Sequence, residues 1–288
     1  MNQQLNKTIA ELSDIEPIHN ICHINGNLLP MPSVEMLKEV VNTTRALLFP
    51  GYYGDSRVNE QNIEQHITLN ISRLQELLQK QIQSGLCFEH QNPCSEILEK
   101  CAAAMTEQFI ETLPELRRQL HQDVVSSYNG DPAAKSFGEV IYCYPGIRAV
   151  CNYRIAHELL KLGVPLIPRI ITEMAHSETG IDIHPAAQIG SFFTIDHGTG
   201  VVIGETAVIG NNVKIYQGVT LGARSFPLDE NGYPIKGIKR HPNIGNDVII
   251  YSNSTILGNI TVGDGAIIGG NIWVTEDVAT GARLVQKK

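Results

Sequence analysis

The chain has 288 residues, 42% hydrophobic and 18% charged, with a formal net charge of −8. Length and balance predict a folded globular chain of one or two domains rather than disorder. The acidic charge argues against nucleic acid or an acidic membrane as partner, and no apolar run reaches the length of a membrane span.

Met1-Asn2-Gln3-Gln4 has neither a basic region nor an apolar core, so a secretion signal is not expected and the predicted location is cytoplasmic. The six cysteines include no C-x-x-C pair and are read as reduced thiols. Cys87, Cys94 and Cys101, at steps of seven, read as a helix-core seam.

Residues 1–30 are polar and read as irregular. Ser33 is a candidate N-cap for a helix carrying Val34, Leu37, Val40, Val41, Leu47 and Leu48 on one face. A second helix is predicted from Ile63 through Ile82 to a stop at Gly85. A third starts near Pro93 and uses Ile97, Leu98, Cys101, Met105 and Phe109; Pro114 is expected to kink or end it before Leu120. Asp131-Pro132-Ala133 is a turn or helix start. Ile147 to Leu162 reads as helix with Gly163 as its stop, and Pro165 and Pro168 open a last short helix to about His176.

From residue 183 to 278 the pattern changes. Ile183, Ile189 and Ile195 recur every six positions; the register slips by two, and Ile203, Ile209, Ile215 and Leu221 follow. After an interruption the period resumes at Ile244, Ile250, Ile256, Val262, Ile268 and Val274. A period of six fits neither a helix at 3.6 nor one alternating strand. It fits a parallel β-helix whose short strands each supply one inward aliphatic residue, with three sides making about eighteen residues per coil. Coils stack about 4.8 Å apart and need neighbours to bury their aliphatic column, so the helical half is expected to cover the first coil's open edge. The predicted fold is α+β: a helical domain over 1–178, then a β-helix over 179–288 with an inserted loop at 223–240.

The loop holds Phe226, Pro227, Asp229, Asn231, Gly232 and Pro234, and it ends in Lys236, Lys239, Arg240 and His241, the densest basic cluster of the chain. Two readings stand here: a solvated loop, or a basic arm gripping an anionic ligand. In the coil, His197 lies beside Asp196, and Asp182 lies fifteen residues earlier, nearly one coil, so all three can reach one edge. A histidine oriented by a carboxylate suits general-base work; a corner-capping histidine is the alternative. His184, before Pro185, reads as a turn residue. No cysteine follows Cys151, which argues against a covalent thioester. The coil has no close histidine pair, so no metal is expected. Direct attack on a bound acyl donor remains.

Several stretches resemble the serine O-acetyltransferases, in the form with a long helical N-terminal part. They are Asp131-Pro132-Ala133, Tyr153-Arg154-Ile155-Ala156-His157, Gly180-Ile181-Asp182-Ile183-His184-Pro185, Ile195-Asp196-His197-Gly198-Thr199-Gly200, Ile203-Gly204-Glu205-Thr206, Val219-Thr220-Leu221-Gly222 and Lys239-Arg240-His241-Pro242. The resemblance covers about Ser126 to Val285. It implies a left-handed β-helix forming a homotrimer or a dimer of trimers, with active sites between subunits. It implies acetyl transfer from acetyl-CoA to the hydroxyl of L-serine, the first step of cysteine synthesis, with L-cysteine as feedback inhibitor at the serine site. By motif, His197 is the general base and Asp182 its orienting partner; Asp131 and Asp196 hold the substrate ammonium, and Arg240 and His241 its carboxylate. Acetyl-CoA runs past Gly222, Ala223, Ser252 and Gly270. Glu205 follows the family pattern close to the site. The sequence departs from that pattern at Gly222-Ala223-Arg224 and Tyr251-Ser252-Asn253-Ser254. The printed C-terminus lacks the family's longer tail and its terminal isoleucine, so no tail-mediated complex with the sulfhydrylase is expected.

Overall fold

The computed structural model describes residues 2–18, 30–90 and 96–286. Its helices are α1 (Gln3–Ser13), α2 (Val34–Leu48), α3 (Ile63–His90), α4 (Glu96–Gly130), α5 (Phe137–Cys143), α6 (Pro145–Lys161) and α7 (Ile167–Thr179). Fourteen short strands follow, forming a left-handed parallel β-helix with three faces. Face 1 holds the strands beginning at Asp182, Val202, Thr220, Thr255 and Trp273. Face 2 holds those at Gln188, Val208, Asn243 and Thr261, and face 3 those at Thr194, Lys214, Ile249, Ile267 and Arg283.

The aliphatic column points inward as its period requires. Ile183, Ile203, Leu221, Ile256 and Val274 stack on face 1 and are all at most 5% exposed. A second inward column, which the sequence reading overlooked, precedes the first by two positions. It includes Ile181, Ala187, Phe193, Val201, Val213, Val219 and Val248, all buried. Ser254 sits in that column fully buried and is satisfied there, donating to the Gly269 carbonyl and accepting from the Ile272 amide.

Successive coils bond mainly from the amides of one to the carbonyls of the next, as in Asp182 N to Val201 O and Gln188 N to Ala207 O. First-coil carbonyls therefore lack donors from below, and a buried carbonyl without a donor is costly. Helix α6 supplies them. Tyr153 donates to the Ala187 carbonyl at 2.6 Å, Arg154 to Gly190 at 2.8 Å, and His157 Nδ1 lies 2.8 Å from the Pro185 carbonyl. The Tyr153–His157 motif thus closes the open edge of the coil. Gly146 lets α6 approach, since a Cβ there would strike the Ile195 carbonyl.

The helical half departs from expectation in five places. Residues 3–13 form a helix with an Asn2 cap; Leu5, Ile9 and Leu12 lie along one of its faces, although no α1 residue is buried. Helix α3 runs past Gly85 to His90. Helix α4 passes through Pro114 to Gly130, because Phe109, Leu113, Leu116, Leu120 and Val124 bury one continuous face and packing outweighs the lost hydrogen bond. Helix α5 was not anticipated. The cysteine seam does not form: Cys87 is buried late in α3 and disulfide-bonded, Cys101 is exposed on α4, and Cys94 lies outside the described residues, as do Cys22 and the predicted start at Pro93. The reduced-thiol expectation therefore holds for Cys101, Cys143 and Cys151 but fails for Cys87. No helix among the described residues is long and apolar enough to cross a membrane.

Candidate active site

The two-residue slip in the repeat builds the first half of the site. Ile195 to Ile203 spans eight positions, whereas Ile215 to Leu221, Ile250 to Ile256 and Ile268 to Val274 span six. The extra residues fall at the corner from face 3 to face 1, in His197-Gly198-Thr199-Gly200. His197 sits there at φ 57° with its side chain 76% exposed. The same conformation recurs at other coil corners, as at Asn253 and Asn271, so it belongs to the turn and serves here to project the His197 ring outward.

Around this corner lie Asp131, Tyr144, Asp196 and Lys214. Asp196 ends a face 3 strand; its carboxylate is 3.8 Å from His197 Nε2 and 3.0 Å from Lys214 Nζ. Lys214 also donates to the Gly130 carbonyl at 2.7 Å and lies 4.7 Å from the centre of the Tyr216 ring. Asp131, in the turn after α4, accepts from the Tyr144 hydroxyl at 2.5 Å and from the Ala133 amide at 2.8 Å. The tyrosine bond, then the amide, hold its carboxyl below the usual carboxylate range, and the same bond pushes the Tyr144 phenol up. A cavity of about 370 Å³, lined in part by Gly130, Thr194 and Lys214, opens beside this group.

A second group forms at the corner from face 1 to face 2. Arg240 pairs with Glu205, holding that carboxyl below its usual range. The His241 ring is 93% buried and fills the space a Cβ would take at Gly204. Its Nδ1 accepts from the Thr206 amide at 3.1 Å and lies 2.9 Å from the Thr206 hydroxyl, so Nε2 carries the proton. Burial, with Arg240 beside it, pushes its pKa down to about 4. His241 is therefore a neutral donor at ordinary pH, and Arg240 is the cation of the pair. The loop from 223 to this corner is largely exposed; inside it the Asp229 carboxylate holds a turn by accepting from the Asn231 and Tyr233 amides. His184 Nδ1 accepts from the Ala186 amide, a turn role.

Asp182 lies on face 1 between the two corners. Its carboxylate is 3.6 Å from Arg169 on α7, and no hydrogen bond among the described residues joins it to His197. The two segments do meet in the backbone, where the Gly200 amide donates to Gly180 at 2.8 Å. Glu173, His176 and Asp182 could converge on a cation, but Arg169 already bridges Glu173 at 2.5 Å and Asp182. Of the remaining sequence candidates, Ser252 and Gly270 stack on the His197 corner two and three coils on, and Gly222 and Ala223 lie at the far end of face 1. No ion pair or hydrogen bond among the described residues links the two groups.

Sequence reasoning missed Lys214, Tyr144 and Arg169. The first was hidden by the slip: this coil is twenty residues long, so Lys214 registers with Thr194 and reaches Asp196 diagonally.

The three-faced coil of six-residue repeats places the chain among the hexapeptide-repeat proteins. No family model matches it. It is 47% identical over 268 residues to a plasmid serine acetyltransferase of Synechococcus elongatus, covering 91% of this chain and 84% of the relative. It is 47% identical over 161 residues to the serine acetyltransferase of Bacillus subtilis, covering 56% of this chain and 70% of that one. Among solved structures, serine acetyltransferase 1 of Entamoeba histolytica in complex with L-cysteine matches at TM-score 0.75 and 37% identity, covering 89% of this chain and 88% of that one. The Neisseria gonorrhoeae serine acetyltransferase in complex with serine matches at TM-score 0.57 and 27% identity, over 91% and 97%. The chain belongs to the serine acetyltransferase family, and acetyl-CoA is the co-substrate that membership implies.

Proposed function

We propose that the chain transfers acetyl from acetyl-CoA to the hydroxyl of L-serine, at a site completed when the His197 corner of one chain meets the Arg240 corner of a second. The observation that carries this is the division of charge. Acids and an exposed imidazole gather at one corner, and a guanidinium with a neutral donor gathers at another. A zwitterion needs acids at its ammonium and donors at its carboxylate, with the base near its hydroxyl. A cyclic homotrimer would bring unlike corners together without help from a chain's own contacts; a dimer of trimers preserves the same pairing.

Asp131 and Asp196 hold the ammonium, displacing Lys214 and Tyr144 from their carboxylates. Arg240 and the Nε2–H of His241 hold the carboxylate. His197 takes the hydroxyl proton as the serine oxygen attacks the thioester carbon. The C–O bond forms, the C–S bond breaks, and the proton passes to the leaving sulfur, giving O-acetylserine and CoA. Asp182 positions His197 once Arg169 releases it. Acetyl-CoA lies along the corner column of Ser252 and Gly270 and reaches Gly222 and Ala223. One solved relative is in complex with L-cysteine and another with serine, which supports both amino acids as ligands; because they differ only in O against S, one site would take both and L-cysteine would act there as feedback inhibitor.

The test is release of CoA thiol from acetyl-CoA with L-serine, D-serine, L-homoserine and a panel of sugars. Release with L-serine alone, suppressed by L-cysteine, is expected. Release with sugars and not serine would assign the basic corner to another anion, and no release with any acceptor would leave the coil an assembly scaffold.

A further inference from the structure

A cavity of about 740 Å³ lies in the helical half between α2, α6 and α7, away from both corners. That is ample for a small organic ligand. Its floor is apolar, with Val41, Ile170 and Met174, and three arginines line it: Arg45, Arg148 and Arg169. Two of these are neutralised by glutamates of the same wall. Arg148 pairs with Glu178 at 2.6 Å and Arg169 with Glu173 at 2.5 Å.

Arg45 is different. It is 95% buried, and no carboxylate pairs with it among the described residues. One Nη donates to the Asn152 side chain at 2.7 Å; Nε has no hydrogen-bond partner among the described residues. Its other neighbours are the Tyr53 ring, 5.8 Å away, and the Cys151 thiol, which burial keeps protonated. A buried guanidinium that lines a cavity and has no carboxylate partner among the described residues calls for an anion.

We propose that this cavity is a second ligand site, taking a small monocarboxylate with an apolar body, and that it acts on catalysis through Arg169. Lys38, the fourth cation of the lining, already pairs with Glu35 at 3.7 Å, so one uncompensated guanidinium is left to match one negative charge. The carboxylate meets Arg45, and the apolar body lies on Val41, Ile170 and Met174. Arg169 lines the cavity and also stands 3.6 Å from Asp182. An anion in the cavity competes for Arg169 and frees Asp182 to position His197, so occupancy raises kcat. This second half rests on the proposed role of Asp182; the binding half does not.

The probe is 4-fluorophenylacetate, followed by fluorine NMR on the full-length protein saturated with L-serine, with the neutral amide as comparator. Serine keeps the acid out of the Arg240 corner. The acid is expected to bind at least tenfold tighter than the amide. Arg45→Met, and independently Asn42→Trp at the exposed mouth of the cavity, are expected to abolish binding. The tryptophan variant keeps the test valid if loss of Arg45 disrupts folding. In the acetyl-transfer assay the acid is expected to raise kcat severalfold in the wild type and to have no effect in Arg169→Met. No binding of the acid to the serine-saturated protein, equal binding of acid and amide, or undiminished binding in Asn42→Trp would overturn the site. Binding with unchanged kcat would overturn the coupling. A protein that binds the acid yet transfers no acetyl to serine would sink the functional reading and leave the cavity site standing.

Discussion

Arg154 and Asp123 form a two-point ion pair at 2.6 and 3.0 Å, their side chains 5% and 0% exposed, where α4 and α6 meet the first coil. Asp123 also accepts from the Phe193 amide at 2.9 Å, and Arg154 donates to the Gly190 carbonyl. The pair thus satisfies backbone groups of the coil edge while neutralising itself. Removing one partner leaves a buried charge and an unpaired backbone group. Arg154→Met is expected to cost about 3–5 kcal/mol, read as a lower urea midpoint. A loss below about 1 kcal/mol, the range of an exposed pair, would show that the edge is held by other contacts.

Gly204 is a steric requirement of the second corner. A Cβ there overlaps the His241 ring. Gly204→Ala is expected to expel the imidazole and remove one hydrogen bond to the substrate carboxylate. That is worth about 1.5–3 kcal/mol, so serine KM should rise by roughly ten- to a hundredfold. An unchanged KM would remove His241 from the binding site.

His197 stands on an exposed corner that holds no core. His197→Ala should therefore fold normally, with an unchanged circular dichroism spectrum, and lose at least about a hundredfold in kcat. Retention of kcat would place the base elsewhere.

Buried neutral His241 makes stability depend on pH. Its folded pKa is about 4, against 6.5 when free. Between these values the unfolded chain binds a proton that the folded chain refuses, so stability falls as pH drops from about 6.5 to about 4. His241→Asn keeps an acceptor for the Thr206 amide and does not titrate. The fall in urea midpoint between pH 7 and pH 5 should be smaller in the variant than in the wild type. Equal falls would mean that the ring titrates freely in the folded protein.

Much of this was legible in the sequence, for physical reasons. Aliphatic residues every six positions can bury only in a three-faced coil, so the column from Ile183 to Val274 and the slip at His197 could be read directly. The second inward column mixes alanine, valine, phenylalanine and serine, and no single residue type reveals it. Helix α1 did leave a pattern, with Leu5, Ile9 and Leu12 on one face, whereas α4 continues past Pro114 because a tertiary face outweighs a local preference. In the site, spacing brought His197 and Asp182 to neighbouring backbone but could not show that Arg169, from a helix docked on the coil, would take the Asp182 carboxylate. Nor could it show His241 as neutral. That follows from burial of the ring with Arg240 beside it, while Thr206, thirty-five residues away, sets which nitrogen carries the proton.

The central claim is that the corners of two chains make one site. The direct test mixes two inactive variants, His197→Ala and Arg240→Ala, by co-expression with different tags. Each alone lacks one half of every site. In randomly mixed cyclic trimers, about a quarter of the interfaces combine an intact His197 corner with an intact Arg240 corner. Serine acetyltransferase activity in the unfractionated mixture is expected to approach that fraction of wild type, and in trimers carrying both tags about a third. A mixed preparation no more active than its two components would contradict the account and place both halves of the site within one chain.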